Sequence, residues 1–318
     1  MILEDIIKEI KSAENIILLT HETPDGDAIG SSIALYSALK KMNKNVDIVI
    51  PDCPHIYQFL VGYNELLKEG TKEKYDLAIA LDSSDIKRLN GFAKYFETAK
   101  TKIVIDHHSS NTMFGDYNFV NPAAPACAQI IIILLEYLNV EIDKTIGEAI
   151  ATGIITDTGG LQYSTTTPET FEFIAELIRK GINISYIYTR TLKVISKEQF
   201  ELRNIACSRL ELLEDAKIAF TYVTKQEQDK LNIKTGDHEG IVELGRDIEG
   251  VEVSIFLREQ EENVYKVSFR SNNYVNVADI SLMFNGGGHP RAAGCTMNMP
   301  LHQAREKLIT ETKRRLKV

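Results

Sequence analysis

The sequence predicts an α/β protein, with an N-terminal, mostly parallel sheet flanked by helices and a smaller C-terminal α/β domain with a mixed sheet. Two observations carry this prediction. Short β-branched apolar runs alternate with helical patterns in the first half, whereas strands dominate from Ala216 onward. The 318 residues are enough for two domains. We expect a first domain at residues 1–190, a helical linker at 191–214 and a second domain at 215–318.

The predicted strands of the first half are continuous apolar runs, which are typical of a parallel sheet covered on both faces. They span residues 15–20, 46–50, 77–81 and 102–105. Predicted helices span residues 27–42, 127–138, 146–155 and 168–180. Thr167 is the expected N-cap of the last of these helices, because Pro168 suits the first helical position. In the second half, strands are expected at residues 217–223, 251–257 and 264–270.

The composition excludes several classes of protein. The net charge is -9, from 36 Lys+Arg against 45 Asp+Glu, whereas a protein that coats long nucleic acid usually has a basic excess. The longest apolar run, residues 130–135, is too short to cross a bilayer. The N-terminus lacks a basic segment followed by an apolar run, so a cytoplasmic location is the default expectation. The four cysteines are scattered, which argues against a structural zinc site.

Histidines and carboxylates cluster where the predicted strands and helices of the first half end. The clusters contain His21, Asp25 and Asp27; Asp82; Asp106, His107 and His108; and Asp157. Because the carboxyl ends of parallel strands share one edge, a single sheet brings these groups together. Taken alone, Asp25 and Asp27 are also explained as turn residues and Asp82 as a helix N-cap. A shared carboxylate cluster is costly without cations, and its donors suit manganese, iron or magnesium better than copper.

These segments resemble the motifs of the DHH phosphoesterase family, which is named for the triad seen here as Asp106, His107 and His108. Residues 284–294 resemble the glycine-rich motif of the DHH-associated C-terminal domain. Together the motifs cover nearly the whole chain, and its compact length and second domain are most similar to the nanoRNase/pAp phosphatase branch. Asn285 stands where that branch often has another glycine, but the three following glycines and His289 are intact.

The resemblance implies a pair of divalent cations, with manganese as the first choice and magnesium as the alternative. His21 and Asp25 would bind one ion; Asp27, His107 and Asp157 would bind the other; and Asp82 would bridge both. His108 is implied as the residue that contacts the scissile phosphate or assists the leaving group, so Asp82 and His108 are the expected catalytic residues. Asp106 is expected to orient the histidines rather than to bind a cation itself. Two ions roughly 3.5–4 Å apart can activate one shared water for attack on phosphorus.

A substrate clamp is expected in the second domain. Consecutive glycines permit backbone conformations that turn several N–H groups toward an anion, and an arginine can fork onto a phosphate. The candidate residues are Arg270, Ser271, Gly286, Gly287, Gly288, His289 and Arg291. Taken alone, the glycine run is also explained as a turn between a helix and a strand. The resemblance favours a phosphate clamp, with the active site in a cleft between the two domains. His238 is expected to be an ordinary surface-loop residue.

The resemblance implies hydrolysis of small nucleotides, namely 3′,5′-bisphosphate nucleotides (pAp), short oligoribonucleotides and linear dinucleotides such as pApA. A single-strand exonuclease acting on longer strands is an alternative, but its groove would need an electropositive surface. An inorganic pyrophosphatase of a sister branch has a different second domain. A catalytically silent nucleotide sensor would be expected to have lost metal ligands, and all the matched positions are present here. A homodimer is an open alternative to a monomer.

Overall fold

A computed structural model describes residues 2–234, 237–238 and 240–316, and the chain divides into two compact units between Val194 and Ile195. The first unit contains a sheet of six strands in the order β3-β2-β1-β4-β5-β6. All neighbouring strands are parallel, which confirms the predicted sheet. The strands are β1 (Asn15–Leu19), β2 (Asn45–Val49), β3 (Leu66–Leu67), β4 (Leu77–Leu81), β5 (Thr101–Asp106) and β6 (Tyr117–Val120).

Helices cover both faces of this sheet. Ile29 and Ile33 belong to the apolar core on one face, and Phe96 belongs to the core on the other. Every residue of β4 is buried, as the continuous apolar run predicts. The helices of this unit are α1 (Ile2–Ser12), α2 (Gly26–Lys41), α3 (Ala93–Thr98), α4 (Cys127–Leu138), α5 (Lys144–Asp157), α6 (Pro168–Arg179) and α7 (Ile184–Tyr188). Thr167 caps α6, and its hydroxyl accepts from the backbone N–H of Thr170.

Helices α2 and α5 approach each other closely through glycines. A Cβ atom on Gly30 would lie 2.4 Å from the carbonyl oxygen of Ala149 and 2.8 Å from the backbone nitrogen of Gly153. A Cβ atom on Gly26 would lie 2.4 Å from the Thr156 side chain. Because Gly30 places no side chain between the two backbones, the helices pack closely there, and the beginning of α2 lies beside the end of α5.

The second unit contains six strands in the order β11-β12-β10-β9-β8-β7. Strands β8 and β9 are parallel and the other pairs are antiparallel, which confirms the predicted mixed sheet. Its strands are β7 (Glu211–Leu213), β8 (Ile218–Val223), β9 (Val253–Glu261), β10 (Val264–Ser271), β11 (Gly287–His289) and β12 (Ala292–Asn298). Its helices are α8 (Lys197–Ser208), α9 (Lys225–Lys230), α10 (Ile241–Arg246), α11 (Val277–Leu282) and α12 (Leu301–Leu316).

Helix α8 packs on the sheet of the second unit. Leu202 and Ala206 share an apolar cluster with Val223 and Phe256. A π-helical turn, Thr189–Lys193, precedes the division between the units. None of the helices in the described part of the chain combines the length and the apolar character that crossing a lipid bilayer requires.

Candidate metal centre and substrate clamp

Asp82 follows the last residue of the central strand β4 and lies between two histidines. One of its carboxylate oxygens, Oδ2, is 3.6 Å from Nε2 of His21, which follows the neighbouring strand β1. The other oxygen, Oδ1, is 3.4 Å from Nε2 of His107, which follows β5 on the opposite side. The backbone of Asp82 has φ 52°, a left-handed conformation that is costly for a residue with a side chain. The fold thus holds each carboxylate oxygen toward a different imidazole.

Asp25 and Asp27 stand at the beginning of α2, where the Asp-Gly-Asp sequence starts the helix. Asp25 is the N-cap, and its Oδ1 accepts from the backbone N–H groups of Asp27 at 3.0 Å and Ala28 at 3.1 Å. Asp27 is 1% exposed and points away from its own helix. Its Oδ2 accepts from the N–H of Cys127 at 2.5 Å, and its Oδ1 accepts from the N–H of Ala128 at 2.9 Å.

Asp27 therefore caps the beginning of α4. The N-cap residue of α4, Ala126, has no side chain that could accept these hydrogen bonds. Each carboxylate oxygen has two lone pairs, so Asp27 retains acceptor capacity for a cation while it caps the helix. The predicted ligand is thus also a structural contact between two helices.

A backbone carbonyl orients His107. Its Nδ1–H donates to the carbonyl oxygen of Ala124 at 3.2 Å, which turns Nε2 toward the carboxylates. Nε2 lies 3.4 Å from Oδ2 of Asp157 and 3.9 Å from Oδ2 of Asp27, besides its contact with Asp82. Asp157 ends α5, and its side chain is 30% exposed. The imidazole of His107 is therefore surrounded by three carboxylates from three different elements.

A separate polar network orients His108. Its Nδ1 donates to Oδ1 of Asp106 at 2.7 Å, and Asp106 is fully buried at the end of β5. The side-chain amide of Asn111 donates to Oδ2 of Asp106 at 2.6 Å and to the carbonyl oxygen of Ser83 at 3.1 Å. Asp106 thus positions His108, whereas Ala124 positions His107. Sequence reasoning missed Asn111 and Ala124, and the only signal for Asn111 was its place three residues after the triad.

Three overlapping groups of side chains are close enough to hold a cation. Within each group, one ligand atom per residue lies within 4.8 Å of the others. The groups are His21, Asp25 and Asp82; Asp82, His107 and His108; and Asp27, His107 and Asp157. Asp82 belongs to two groups and His107 to two, so the structure brings together all six predicted metal ligands.

The electrostatics of this cluster favour a cation. Burial, reinforced by the Asp82 and Asp157 carboxylates, raises the pKa of Asp27 well above its ordinary value. Burial also raises the pKa of Asp157, to which Asp25 and Asp82 add. Oδ1 of Asp82 and Nδ1 of His21 are buried and have no hydrogen-bond partner among the described residues. Repelling carboxylates and buried lone pairs without a partner are what a bound cation relieves, so the residues present fit divalent-cation binding.

The pKa of Asp82 is lowered, in contrast to those of Asp27 and Asp157, because imidazoles lie close to its carboxylate. Burial alone would raise its pKa, but the nearby His107 and His21 side chains outweigh burial and lower it. For His107, burial by itself would lower the pKa, but the carboxylates of Asp82 and Asp27 outweigh burial and raise the pKa. For His108, the carboxylates of Asp106 and Asp82 raise the pKa against the effect of burial.

The candidate clamp residues of the second unit have partners of their own. Nε of Arg270 donates to Oε1 of Glu243 at 2.9 Å. Ser271 is buried, and its hydroxyl donates to the carbonyl oxygen of Val275 at 2.7 Å. The guanidinium of Arg291 donates to the carbonyl oxygens of Val275, at 2.9 Å, and Asn273. The Ser271 hydroxyl and the Arg291 guanidinium therefore already donate hydrogen bonds to the backbone carbonyl oxygens of Val275 and Asn273.

The glycine-rich run forms a strand at the edge of the sheet. Gly287, Gly288 and His289 are exposed and make up β11, which pairs with β12. Gly286 lies deeper, because a Cβ atom there would stand 2.3 Å from the Ser281 hydroxyl and from the Gly294 carbonyl oxygen. Gly288 has φ 139°, which favours glycine. The assignment of these residues to phosphate binding stays a prediction.

Comparisons with known proteins match both units. The model of the DHH family N-terminal domain matches residues 15–154, and the DHHA1 domain model matches residues 215–317. The bifunctional oligoribonuclease and PAP phosphatase NrnA of Thermus thermophilus is 34% identical, with 98% of this chain and 93% of the relative covered. The protein of the same name from Bacillus subtilis is 27% identical, with 92% of each chain covered.

A solved structure agrees with this assignment over both units. The exopolyphosphatase-related protein from Bacteroides fragilis superimposes with a TM-score of 0.92 at 28% identity, covering 98% of this chain and 96% of that one. The family match, the near full-length relatives and the ligand cluster agree with one another. The chain therefore belongs to the DHH family of phosphoesterases, and it is a hydrolase.

Proposed function

We propose that this phosphoesterase hydrolyses small nucleotide phosphates with a pair of divalent cations. The substrate classes are 3′,5′-bisphosphate nucleotides such as pAp, short oligoribonucleotides and linear dinucleotides such as pApA. One observation carries the two-cation proposal: the two carboxylate oxygens of Asp82 face different ligand groups, through His21 on one side and His107 on the other. A carboxylate placed in this way suits a bridge between two ions.

The ligand groups divide naturally between two ions. His21, Asp25 and Asp82 would hold one, and Asp27, His107 and Asp157 would hold the other with Asp82. When bound, such ions would lower the pKa of a coordinated water molecule and neutralise charge on the phosphoryl oxygens. Oxygen and imidazole donors suit manganese, with magnesium as the alternative. The protein contributes the fixed spacing, because Asp27 is tied to α4 and His107 to Ala124.

His108 is the proposed catalytic group that meets the substrate directly. Asp106 accepts from its Nδ1 and thereby fixes the ring, and we assign Nε2 to the substrate. From there it would donate a hydrogen bond to a phosphoryl oxygen or a proton to the leaving oxygen. Asn111 fixes Asp106 in turn, so both carboxylate oxygens of Asp106 are used.

Two observations support small nucleotides as the substrates. The relatives from Thermus thermophilus and Bacillus subtilis are named for an oligoribonuclease and a PAP phosphatase. The net charge of -9 disfavours a surface that tracks a long strand. The proposed substrate-binding residues of the second unit are Arg270, Ser271, Gly286, Gly287, Gly288, His289 and Arg291. Arg270 would exchange Glu243 for a substrate phosphate.

A substrate panel tests the proposal. Purified protein is incubated with Mn²⁺, Mg²⁺ or EDTA and with pAp, pApA, cyclic diadenylate and RNA of increasing length. We expect metal-dependent turnover of pAp and pApA, with rates that fall as the RNA lengthens. Asp82→Ala should reduce turnover by on the order of a thousandfold or more, because both ion sites lose a ligand.

Two results would contradict the proposal. Full turnover in EDTA would show that the carboxylate cluster does not act through cations. Faster turnover of long RNA than of dinucleotides would favour an exonuclease that acts on longer strands. Glu136→Gln, an exposed residue near the end of α4, serves as the matched carboxylate control and should leave every rate unchanged.

A further inference from the structure

A loop of the second unit is fixed by a buried carboxylate. Glu252 is 2% exposed and accepts hydrogen bonds from the consecutive backbone N–H groups of Asn273, Tyr274 and Val275. The distances are 3.1, 2.8 and 2.8 Å. Successive N–H groups turned to one point form a concave anion site, and here an internal carboxylate fills it. Charge-assisted hydrogen bonds of this kind are among the strong ones in proteins.

Arg291 holds the carbonyl side of the same loop. Its guanidinium donates to the carbonyl oxygens of Val275 and Asn273. The backbone is also tied to the segment after β11, because Ser271 N–H donates to the Arg291 carbonyl oxygen at 3.1 Å and Val277 N–H donates to that of Pro290 at 2.9 Å. The N–H groups of residues 272–275 and the carbonyl oxygens of Asn273 and Val275 are thus hydrogen-bonded, beside the glycine-rich strand.

Tyr274 is the residue that this rigid loop presents to solvent. Its side chain is 53% exposed, although the backbone on which it stands is held by Glu252 and Arg291. Single exposed aromatic residues are common on protein surfaces and need no explanation by themselves. The fixed backbone is the unusual feature, because loops that only connect elements do not need a buried carboxylate and an arginine. Rigid aromatic side chains bind with a small loss of conformational entropy.

We propose that Tyr274 is a stacking platform for a nucleobase, and that Glu252 and Arg291 are the residues that position it. The proposal rests on the function proposed above, and it names the part of the substrate that the second unit recognises. Stacking is tolerant of base identity because every base presents a π-face. Arg291 therefore contributes to substrate binding through the loop that it holds, whereas Arg270, on β10 before this loop, is the proposed direct phosphate ligand.

Equilibrium binding tests the proposal without depending on catalysis. The 318-residue protein in EDTA is titrated by calorimetry with adenosine 5′-monophosphate and, separately, with ribose 5-phosphate. We expect wild-type protein to prefer the nucleotide, and Tyr274→Ala to weaken nucleotide binding roughly 5- to 100-fold while leaving ribose 5-phosphate unchanged. Tyr274→Phe should retain nucleotide binding, because the ring rather than the hydroxyl makes the contact. Tyr137→Ala removes an equally exposed tyrosine of α4, at 51%, and should have no effect.

Glu252→Gln tests the positioning role. The amide keeps one acceptor oxygen but loses charge, so the loop should loosen and nucleotide binding should fall in the same direction as in Tyr274→Ala. Combining the two substitutions should add little, because Glu252 acts through Tyr274, whereas a general loss of folding would weaken ribose 5-phosphate binding as well.

Kinetics then separate this proposal from the function on which it rests. With Mn²⁺ and pApA, Tyr274→Ala should raise KM with kcat little changed, and it should not alter hydrolysis of bis(p-nitrophenyl) phosphate. Equal nucleotide binding by Tyr274→Ala and wild type, or a wild-type preference for neither ligand, would overturn the stacking proposal. A wild-type protein that binds the nucleotide through Tyr274 but hydrolyses none would overturn the proposed function alone.

Discussion

Oδ2 of Asp27 accepts a hydrogen bond from the backbone N–H of Cys127 at 2.5 Å, across 100 residues of sequence. A carboxylate in the cation cluster is therefore also the cap of helix α4. Metal binding and helix packing are coupled at this residue, since any change that shifts α4 also shifts a ligand oxygen.

Asp27→Ala should lower stability even without metal. It leaves the N–H groups of Cys127 and Ala128 without their acceptor, which costs about 1–3 kcal/mol. Asp157→Ala is the matched control, because its carboxylate has no backbone hydrogen bond among the described residues. Both variants should lose metal-dependent activity, but in urea denaturation with EDTA only Asp27→Ala should be less stable than wild type. Equal stability of the two variants would refute the capping role.

Gly153→Ala should disturb both helix packing and the cation cluster. The new Cβ would lie 2.5 Å from the Ala128 Cβ and 2.7 Å from Oδ1 of Asp27. Overpacking of this kind costs about 1–3 kcal/mol, although alanine has the higher helix propensity. Gly147→Ala, on the same helix, meets mainly the flexible end of Ile182 at 2.8 Å and should be nearly neutral. Thermal unfolding and Mn²⁺ titration should distinguish them, and equal behaviour would contradict the close-packing argument.

Arg270 and Glu243 give a pair of substitutions with opposite expectations. Arg270→Ala should raise KM for pApA roughly 10- to 100-fold, the value of a charge-assisted hydrogen bond, and should spare bis(p-nitrophenyl) phosphate. Glu243→Gln removes the carboxylate that competes for the guanidinium, so KM should stay equal or fall. Steady-state kinetics on both substrates provide the test. A loss by Arg270→Ala that is equal on the two substrates would remove Arg270 from nucleotide recognition.

The surroundings of His238 lead to a prediction of how the stability of the fold depends on pH. It is half-buried rather than a plain surface-loop residue: its Nδ1 accepts from Arg258 Nη1 at 3.0 Å, and its Nε2 donates to Gln228 Oε1 at 2.8 Å. Burial, with the Arg258 charge, lowers the pKa of His238 to about 4. Protonation would place a second donor against the guanidinium, so the folded state resists it.

The folded-state pKa lies below the unfolded value of about 6.5, so stability is fully present above pH 6.5 and is lost as pH falls toward 4. We expect this group to contribute on the order of 2 kcal/mol of that loss. His238→Gln cannot titrate and should flatten the decline in melting temperature between pH 6.5 and 4. An unchanged slope in the variant would contradict the neutral, bonded state of His238.

Much of the first unit followed from local patterns. The predicted helix at residues 127–138 coincides with α4, and the predicted strand at 77–81 coincides with β4. Hydrophobic periodicity is a local property of the sequence, so it can be recognised without knowledge of the tertiary contacts. Strands β3 and β6 were not predicted: β3 has two residues and β6 is only partly buried, so neither shows a strong apolar pattern.

The sequence by itself determined the α/β class, the main strands and helices of the first unit and the residue types of the cation cluster, because side-chain chemistry and periodicity are written along the chain. Only the tertiary structure decided how those side chains are held. Asp27 is fixed by the N–H groups of α4, His107 by the carbonyl of Ala124, and Tyr274 by Glu252 and Arg291. The physical reason is that backbone N–H and C=O groups occur at nearly every residue, so their identity gives no signal until folding brings one of them to a particular side chain.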